Sequence, residues 1–144
     1  MGRPEQSVQL YTPQGIAIGT LLGSLVGGAI LLWLNYRAMG YHALARKVAA
    51  GGLAVYLLII VIASALPDHP ILGLVLVALQ TGLAYWAAWI LQGDAIAYHR
   101  AQGGAVHSAL RAAGVGFLSG MAVVGLLLLI TTALGIGPVL TPEG

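Results

Sequence analysis

Gly15, Gly19, Gly23 and Gly27 recur at every fourth position of an uncharged apolar segment that covers residues 15–34. In water, each glycine would cost an α-helix about 1 kcal/mol relative to alanine. In a bilayer the backbone must hydrogen-bond to itself, so the helix persists and its glycines offer a flat stripe to a second helix. The pattern, typical of a glycine zipper, predicts a membrane helix with a close-packing face.

The composition supports a membrane environment for the whole chain. Of 144 residues, 59% are hydrophobic and 7% are charged, whereas soluble domains carry about 25% charged residues. The chain has no cysteine, which excludes disulfides, thiolate catalysis and cysteine-ligated metals. The six basic residues are spread between apolar segments rather than gathered in one patch, so we expect no nucleic-acid partner.

Four apolar segments are long enough to cross a hydrocarbon core, which takes about 20 residues. None of them contains Asp, Glu, Lys, Arg or His. The first is too long for the apolar core of a signal peptide, about 7–15 residues, so we expect it to be retained. We therefore predict an all-α, multi-pass membrane protein with one transmembrane domain, whose spans cover residues 15–34, 48–66, 71–91 and 114–134.

The basic residues predict the orientation of these spans. Five of the six lie between the first and second spans or between the third and fourth, and the positive-inside rule assigns that side to the cytoplasm. The four helices would then form two hairpins with both termini outside. The same five side chains are candidates for contact with anionic lipid headgroups: Arg37, Arg46, Lys47, Arg100 and Arg111.

Glycine and proline predict the helix ends. Gly40 and Gly103-Gly104 should end helices on the basic side, because glycine readily takes the left-handed conformation of a C-terminal cap. A tight turn over residues 66–70 should join the second and third helices, with Asp68 as the N-cap of the third. No span contains a proline, so we expect no proline kinks.

The glycine stripe leaves two interpretations open. Thr20 and Ser24 flank it, and Gly116 with Gly120 in the fourth span forms a candidate partner surface. The stripe would pack either within the chain or against another copy or partner. The opposite, bulkier side of the first helix should face lipid, and it consists of Ile18, Leu21, Leu22, Leu25, Ala29 and Leu32.

Gln80 and Thr81 lie near the middle of the third span. With Thr20 and Ser24 they form a candidate polar path for a solute. The alternative is that the amide bonds to another helix and the hydroxyls bond to their own backbone, because a polar group in lipid must find a partner.

His42, His99 and His107 lie on the basic side and are weak candidates for metal ligands. Their spacing does not form a tight metal motif, and the alternative is a set of interfacial side chains that cap and pair. No nucleophile–base–acid set, phosphate loop or carboxylate within a span is present. We therefore predict no catalytic residues, no metal and no cofactor, and a protein that is not an enzyme.

The stretch Leu10-Tyr11-Thr12-Pro13, the glycine-rich helix and the run from Asn35-Tyr36 to Gly40 resemble a group of small uncharacterised bacterial inner-membrane proteins with four helices. In that group a Tyr-Ser/Thr-Pro start similarly precedes a glycine-rich first helix that ends in Asn-Tyr. The resemblance implies a multi-pass protein of the bacterial inner membrane and makes Asn35 and Tyr36 candidates for a role at the helix end. It implies no activity.

These observations favour a non-enzymatic protein that acts through helix packing, as a homo-oligomer or as an accessory subunit of a larger membrane complex. The alternative function is a small oligomeric channel or transporter with a weakly polar path near Gln80.

Overall fold

The computed structural model of the protein describes residues 8–135. Its four helices are α1 (Pro13–Ala38), α2 (His42–Ser64), α3 (Pro70–Ala101) and α4 (Ala109–Ala133). By residue count and composition alone, all four are long and apolar enough to cross a membrane, with mean hydropathies of 2.0, 2.1, 1.8 and 2.3. The predicted class, an all-α multi-pass membrane protein, is confirmed.

On the basic side, α1 and α3 end at the glycines that predict their ends. Gly40 follows α1 with a φ of +84° and Gly103 follows α3 with a φ of +78°. In each case the next amide bonds back across the last turn, from Tyr41 to the Tyr36 carbonyl at 2.8 Å and from Gly104 to the His99 carbonyl at 2.9 Å. Both ends are Schellman motifs, which satisfy carbonyls that the helix leaves free.

The predicted N-cap of α3 is wrong. His69 takes that position, and its Nδ1 accepts a hydrogen bond from the Ile71 amide at 3.3 Å. Pro70 is the first helical residue, where its missing N–H costs nothing. The proline therefore fixes the cap at the residue before it rather than at Asp68.

Helix α1 folds back on itself at its centre. Gly23 (φ −120°, ψ 15°) and Ser24 (φ 60°, ψ −174°) leave the helical conformation. The amide of Tyr11 donates to Asn35 Oδ1 at 2.7 Å, although a straight helix would separate these residues by roughly 36 Å. Helix α1 is therefore a helical hairpin with two arms, α1a (residues 13–22) and α1b (residues 25–38).

The two arms run along different helices. Arm α1a runs parallel to α4, with Gly15 against Ala112 and Gly23 against Gly116. Arm α1b runs parallel to α3, since Leu25 bonds to Gln80 and Asn35 bonds to Gln92. Both ends of α1 thus lie at one end of the molecule, together with the α1–α2 turn and the α3–α4 loop. We call this the basic end, because the five basic residues predicted to face the cytoplasm lie there.

The α1–α2 and α3–α4 pairs join at the basic end as predicted, and α4 ends at the opposite end. The predicted start of α1 at that opposite end is wrong for the described residues. Leu10 lies at the basic end, where its carbonyl accepts a hydrogen bond from the His107 amide at 2.9 Å. The arms of α1 are about 15 and 21 Å long, which is short of a hydrocarbon core of about 30 Å. Residues 1–7 and 136–144, including the predicted termini themselves, lie outside the described residues.

The α1 hairpin is the centre of the bundle. In its apolar window 61% of residues are buried, against 6%, 11% and 6% for α2, α3 and α4. The outer three helices each pack on α1 and hardly contact one another.

The hairpin also corrects the predicted lipid face of the first helix. Leu21 and Leu22 are exposed, but Leu25, Ala29 and Leu32 are buried. All three buried residues follow the bend and belong to α1b. The change of direction turns this part of the bulky face toward α2 and α3.

The path of α1 predicts which positions share a side of the membrane. Because the natural chain has no cysteine, Val8→Cys, Gln102→Cys and Asp68→Cys each give a single thiol. In oriented vesicles, an impermeant maleimide should label positions 8 and 102 from the same side and position 68 from the other. Labelling of positions 8 and 68 from one side would contradict the hairpin and restore a straight first span.

Candidate functional site

The glycine positions predicted from spacing meet inside the chain. A Cβ at Gly116 would collide with the backbone of Gly19, and a Cβ at Gly23 would collide with the carbonyl of Gly116. A Cβ at Gly120 would lie 2.8 Å from the Leu22 carbonyl, and one at Gly27 would lie 2.8 Å from the Gly19 carbonyl. These glycines let α4 and both arms of α1 approach to backbone contact.

The contact surface is therefore internal in the described part of the chain. Gly15 is in ordinary contact with Ala112, at 3.4 Å between the ideal Cβ of Gly15 and the Ala112 Cβ. Gly19, Gly23 and Gly27 are all buried. The stripe is covered by the chain's own residues, which leaves it no face for another copy.

The apex of the hairpin carries two of the four residues predicted to line a polar path. Gln80 Oε1 accepts a hydrogen bond from the Leu25 amide at 3.1 Å, and Ser24 Oγ accepts one from the Val26 amide at 3.4 Å. Both acceptors serve amides in the first turn of α1b, where no intrahelical partner exists. Gln80 is about 15 Å from the start of α3, so the apex lies near mid-depth.

Ser24 holds a strained backbone conformation at this apex. Its φ of 60° with ψ of −174° is a region that residues other than glycine rarely adopt, and such a conformation costs about 1–3 kcal/mol. The packing of α4 and the capping by Gln80 hold the turn in place despite this cost.

The other two predicted path residues bond to their own helices. Thr20 is buried, and its hydroxyl donates to the Ile16 carbonyl at 2.8 Å. The hydroxyl of Thr81 donates to the Val77 carbonyl at 2.9 Å. The structure therefore places Ser24 and Gln80 at adjacent amides of the apex and gives Thr20 and Thr81 local partners.

A buried amide network closes the base of the hairpin. Asn35 Oδ1 accepts from the Tyr11 amide at 2.7 Å, while Asn35 Nδ2 donates to the Tyr11 carbonyl and to Gln92 Oε1, both at 2.8 Å. Gln92 Nε2 donates to the Leu32 carbonyl at 3.0 Å. The two amide side chains are 0% and 1% exposed. The network joins the start of α1 to its end and attaches both to α3.

The sequence made Asn35 a candidate but missed Gln92. Gln92 lies one residue beyond the predicted third span. The only hint of its role in the sequence is that it is an uncharged amide placed just before the charged residues of the basic side. The structure explains the Tyr-Thr-Pro stretch, on which the family resemblance partly rests, as a helix start. Thr12 Oγ1 caps α1 by accepting from the Gly15 amide at 3.1 Å, and Pro13 is the first helical residue.

The three histidines do not assemble. The ring of His107 packs on Tyr11 with centroids 4.3 Å apart, and His99 Nε2 lies 3.0 Å from the Ala105 carbonyl, while His42 begins α2. Burial lowers the pKa of His107, and the charge of Arg111 lowers it further. Residues 8–135 contain no group of three His, Cys, Asp or Glu side chains that could hold a metal ion.

The predicted headgroup contacts all lie exposed at the basic end: Arg37, Arg46, Lys47, Arg100 and Arg111. Arg37 alone has a defined aromatic partner among the described residues, since its guanidinium carbon lies 4.9 Å from the centroid of the Trp33 ring. This cation–π contact holds one positive charge against the end of α1b.

These features define an all-α, multi-pass membrane protein in which three outer helices surround a central helical hairpin. No protein-family model matches the chain, and comparisons with curated proteins and with solved structures find no match.

The glycine contact at Gly116 makes a prediction with a matched control two residues away. Gly116→Ala should push α4 off the backbone of Gly19 and destabilise the protein by about 1–3 kcal/mol. Gly114→Ala should be neutral or slightly stabilising, because a Cβ there meets nothing within 4 Å. Unfolding midpoints in detergent compare the two, and equal midpoints would contradict the close contact.

The amide network predicts a second stability effect. Asn35→Leu leaves both backbone groups of Tyr11 and the Gln92 oxygen without their partner, at about 1–3 kcal/mol for each buried group. Thr81→Val should cost little, because that hydroxyl bonds only to its own helix. The same unfolding measurement, with proteolysis at residues 8–12, tests both variants. An Asn35→Leu protein as stable as Thr81→Val would show that the network does not hold the hairpin closed.

Proposed function

We propose that the protein is a non-enzymatic integral membrane protein of the bacterial inner membrane that acts through helix packing, as a homo-oligomer or as an accessory subunit of a larger membrane complex. One observation carries the proposal. The helices α2, α3 and α4 pack on α1 and hardly on one another, so each keeps a long uncovered face.

Uncovered faces of the outer helices extend beyond the apex of the hairpin. Helix α1 turns back at Gly23 and Ser24, near mid-depth, so no central helix fills the half of the bundle next to the α2–α3 turn. Large apolar side chains are exposed there on all three outer helices, including Val61, Leu74 and Leu128 at 64%, 70% and 62%. A further copy or another membrane subunit can pack against these surfaces as well as lipid can.

Uncovered glycines support helix contact over lipid contact. A Cβ would meet nothing within 4 Å at Gly51, Gly73, Gly82, Gly114 and Gly125. Small residues on membrane helices allow a partner helix to approach closely. The glycines of α1 and the Gly116 side of α4 serve the chain's own fold, whereas these five remain available to a partner.

The distribution of polar groups supports a role without catalysis. The buried amides of Asn35 and Gln92 bond to backbone and to each other. Two of the cavities between helices are lined almost entirely by apolar side chains, and a third, beside the apex, includes Ser24 among mostly apolar residues. The bacterial inner membrane is supported by the resemblance of the Tyr-Thr-Pro and Asn-Tyr stretches and by the concentration of basic residues at one end.

The test is the copy number and composition of the particle purified from native membranes in mild detergent. We expect more than one copy, or a constant companion subunit. Gly82→Leu with Gly125→Leu should reduce this association and leave the unfolding midpoint of the single chain unchanged, because both sites have open space. A strictly monomeric wild-type protein without companions would overturn the proposal.

A small channel or transporter is the second candidate, and the apex favours it. Non-helical backbone at membrane depth occurs only where protein buries it or where it lines a water-filled cavity, and broken helices with facing polar groups form the sites of many transporters. Here Gln80 bonds to the Leu25 amide, directly after the break at Ser24. Gln80→Leu should then abolish solute flux in liposomes while Thr81→Val preserves it. Unchanged flux in a folded Gln80→Leu protein would contradict this function.

A further inference from the structure

An apolar groove lies between α1b and α2, on helix faces that lead toward two arginines at the basic end. Its volume is about 220 Å³, and it is lined by Val26, Ala29, Ile30, Trp33, Ala49 and Leu53. All six lining side chains are apolar apart from the indole N–H of Trp33. The groove lies on the outer surface of the bundle, within the apolar part of both helices.

Each wall of the groove continues into one arginine at the basic end. On α1b, Val26, Ile30 and Trp33 follow the spacing of one helix face, and the next position on that face is Arg37. On α2, Leu53 and Ala49 share a face with Arg46, seven residues before Leu53. Both arginines are exposed. The apolar groove and the two positive charges therefore follow one another along the depth of the membrane.

Arg37 is held in position by the groove itself. Its guanidinium carbon lies 4.9 Å from the centroid of Trp33, which lines the groove. Tryptophan is enriched where membrane helices meet the headgroup layer. The described carboxylates lie elsewhere, with Asp68 in the α2–α3 turn and Asp94 on α3, so neither wall of the groove carries a negative charge.

We propose that this groove binds one acyl chain of an anionic phospholipid from the leaflet at the basic end, with the phosphate held by Arg37 and Arg46. The charge complementarity selects the ligand. A neutral acyl chain would leave the two arginines unused, and a free phosphate would leave the apolar groove unused. An anionic lipid uses both, in the order in which the groove presents them. This site goes beyond the proposed function and does not depend on it.

The headgroup contact is tested by native mass spectrometry of the purified protein with added phosphatidylglycerol or phosphatidylcholine. The wild-type chain should retain phosphatidylglycerol. Arg37→Gln with Arg46→Gln should weaken its retention about 30-fold, since each basic residue near the surface contributes about a fivefold effect. The matched control is Arg100→Gln with Arg111→Gln, which removes the same charge from the same end. Equal losses in the two pairs would overturn the site.

The groove is tested separately from the charges. Ala49→Phe fills the groove and should release the lipid with both arginines in place, whereas Ala54→Phe, at an exposed position on α2, should not. Retention of the lipid by a folded Ala49→Phe protein would overturn binding of the acyl chain.

A measurement on the wild-type chain keeps the proposal independent of how the variants fold. Glycerol phosphate carries the headgroup charge without an acyl chain and should not displace bound phosphatidylglycerol at equal concentration. Displacement by glycerol phosphate would identify a simple anion site and overturn the lipid. Equal retention of phosphatidylcholine would overturn the role of the arginines.

Discussion

The backbone at the centre of α1 is the constraint on which the rest of the structure depends. A helix that breaks at mid-depth exposes amides and carbonyls where lipid offers no hydrogen bonds. The Leu25 amide bonds to Gln80, and the Val26 amide bonds to Ser24. The backbones of Gly19 and Gly23 lie directly on Gly116, where any side chain would keep the helices apart. The break is therefore possible because α3 and α4 cover it.

The hairpin is fixed at two points, and each uses a different kind of interaction. Close glycine packing and one amide hold the apex, while the Asn35–Gln92 network holds the base. Between them the hairpin supplies most of the burial in the bundle, and the outer helices pack on it separately. This division leaves the outer faces of α2, α3 and α4 free for other membrane components. It also leaves an apolar groove between α1b and α2, whose two helix faces continue to Arg37 and Arg46.

The features predicted correctly from the sequence are local ones. Hydropathy predicts the four apolar helices, because a run of about 20 apolar residues is a property of one segment and needs no knowledge of the rest of the chain. Gly40 and Gly103 predict helix ends because a glycine at positive φ lets the last carbonyls find partners within a few residues. Asp68 failed as a cap at equally short range, because Pro70 fixed the start of α3 one residue after His69.

The features that the sequence misplaced depend on contacts across the chain. Nothing in residues 15–34 distinguishes a straight span from a hairpin, because both bury apolar side chains and both accept glycine. A straight helix would place Leu25, Ala29 and Leu32 toward lipid, but the bend turns them inward. The position of Gln80 within an apolar span predicts that its amide needs a partner, but only the fold supplies that partner, the Leu25 amide 55 positions away.

The sequence by itself determined that this protein belongs in a membrane, that it is helical and where most helices end, because apolar length and glycine conformation act within single segments. The tertiary structure alone decided that the first helix returns to its own side of the bundle. The glycine stripe permits the bend, but Gly116, Gln80 and Gln92 stabilise it. These three residues lie far along the chain, so their effect exists only once the helices have packed.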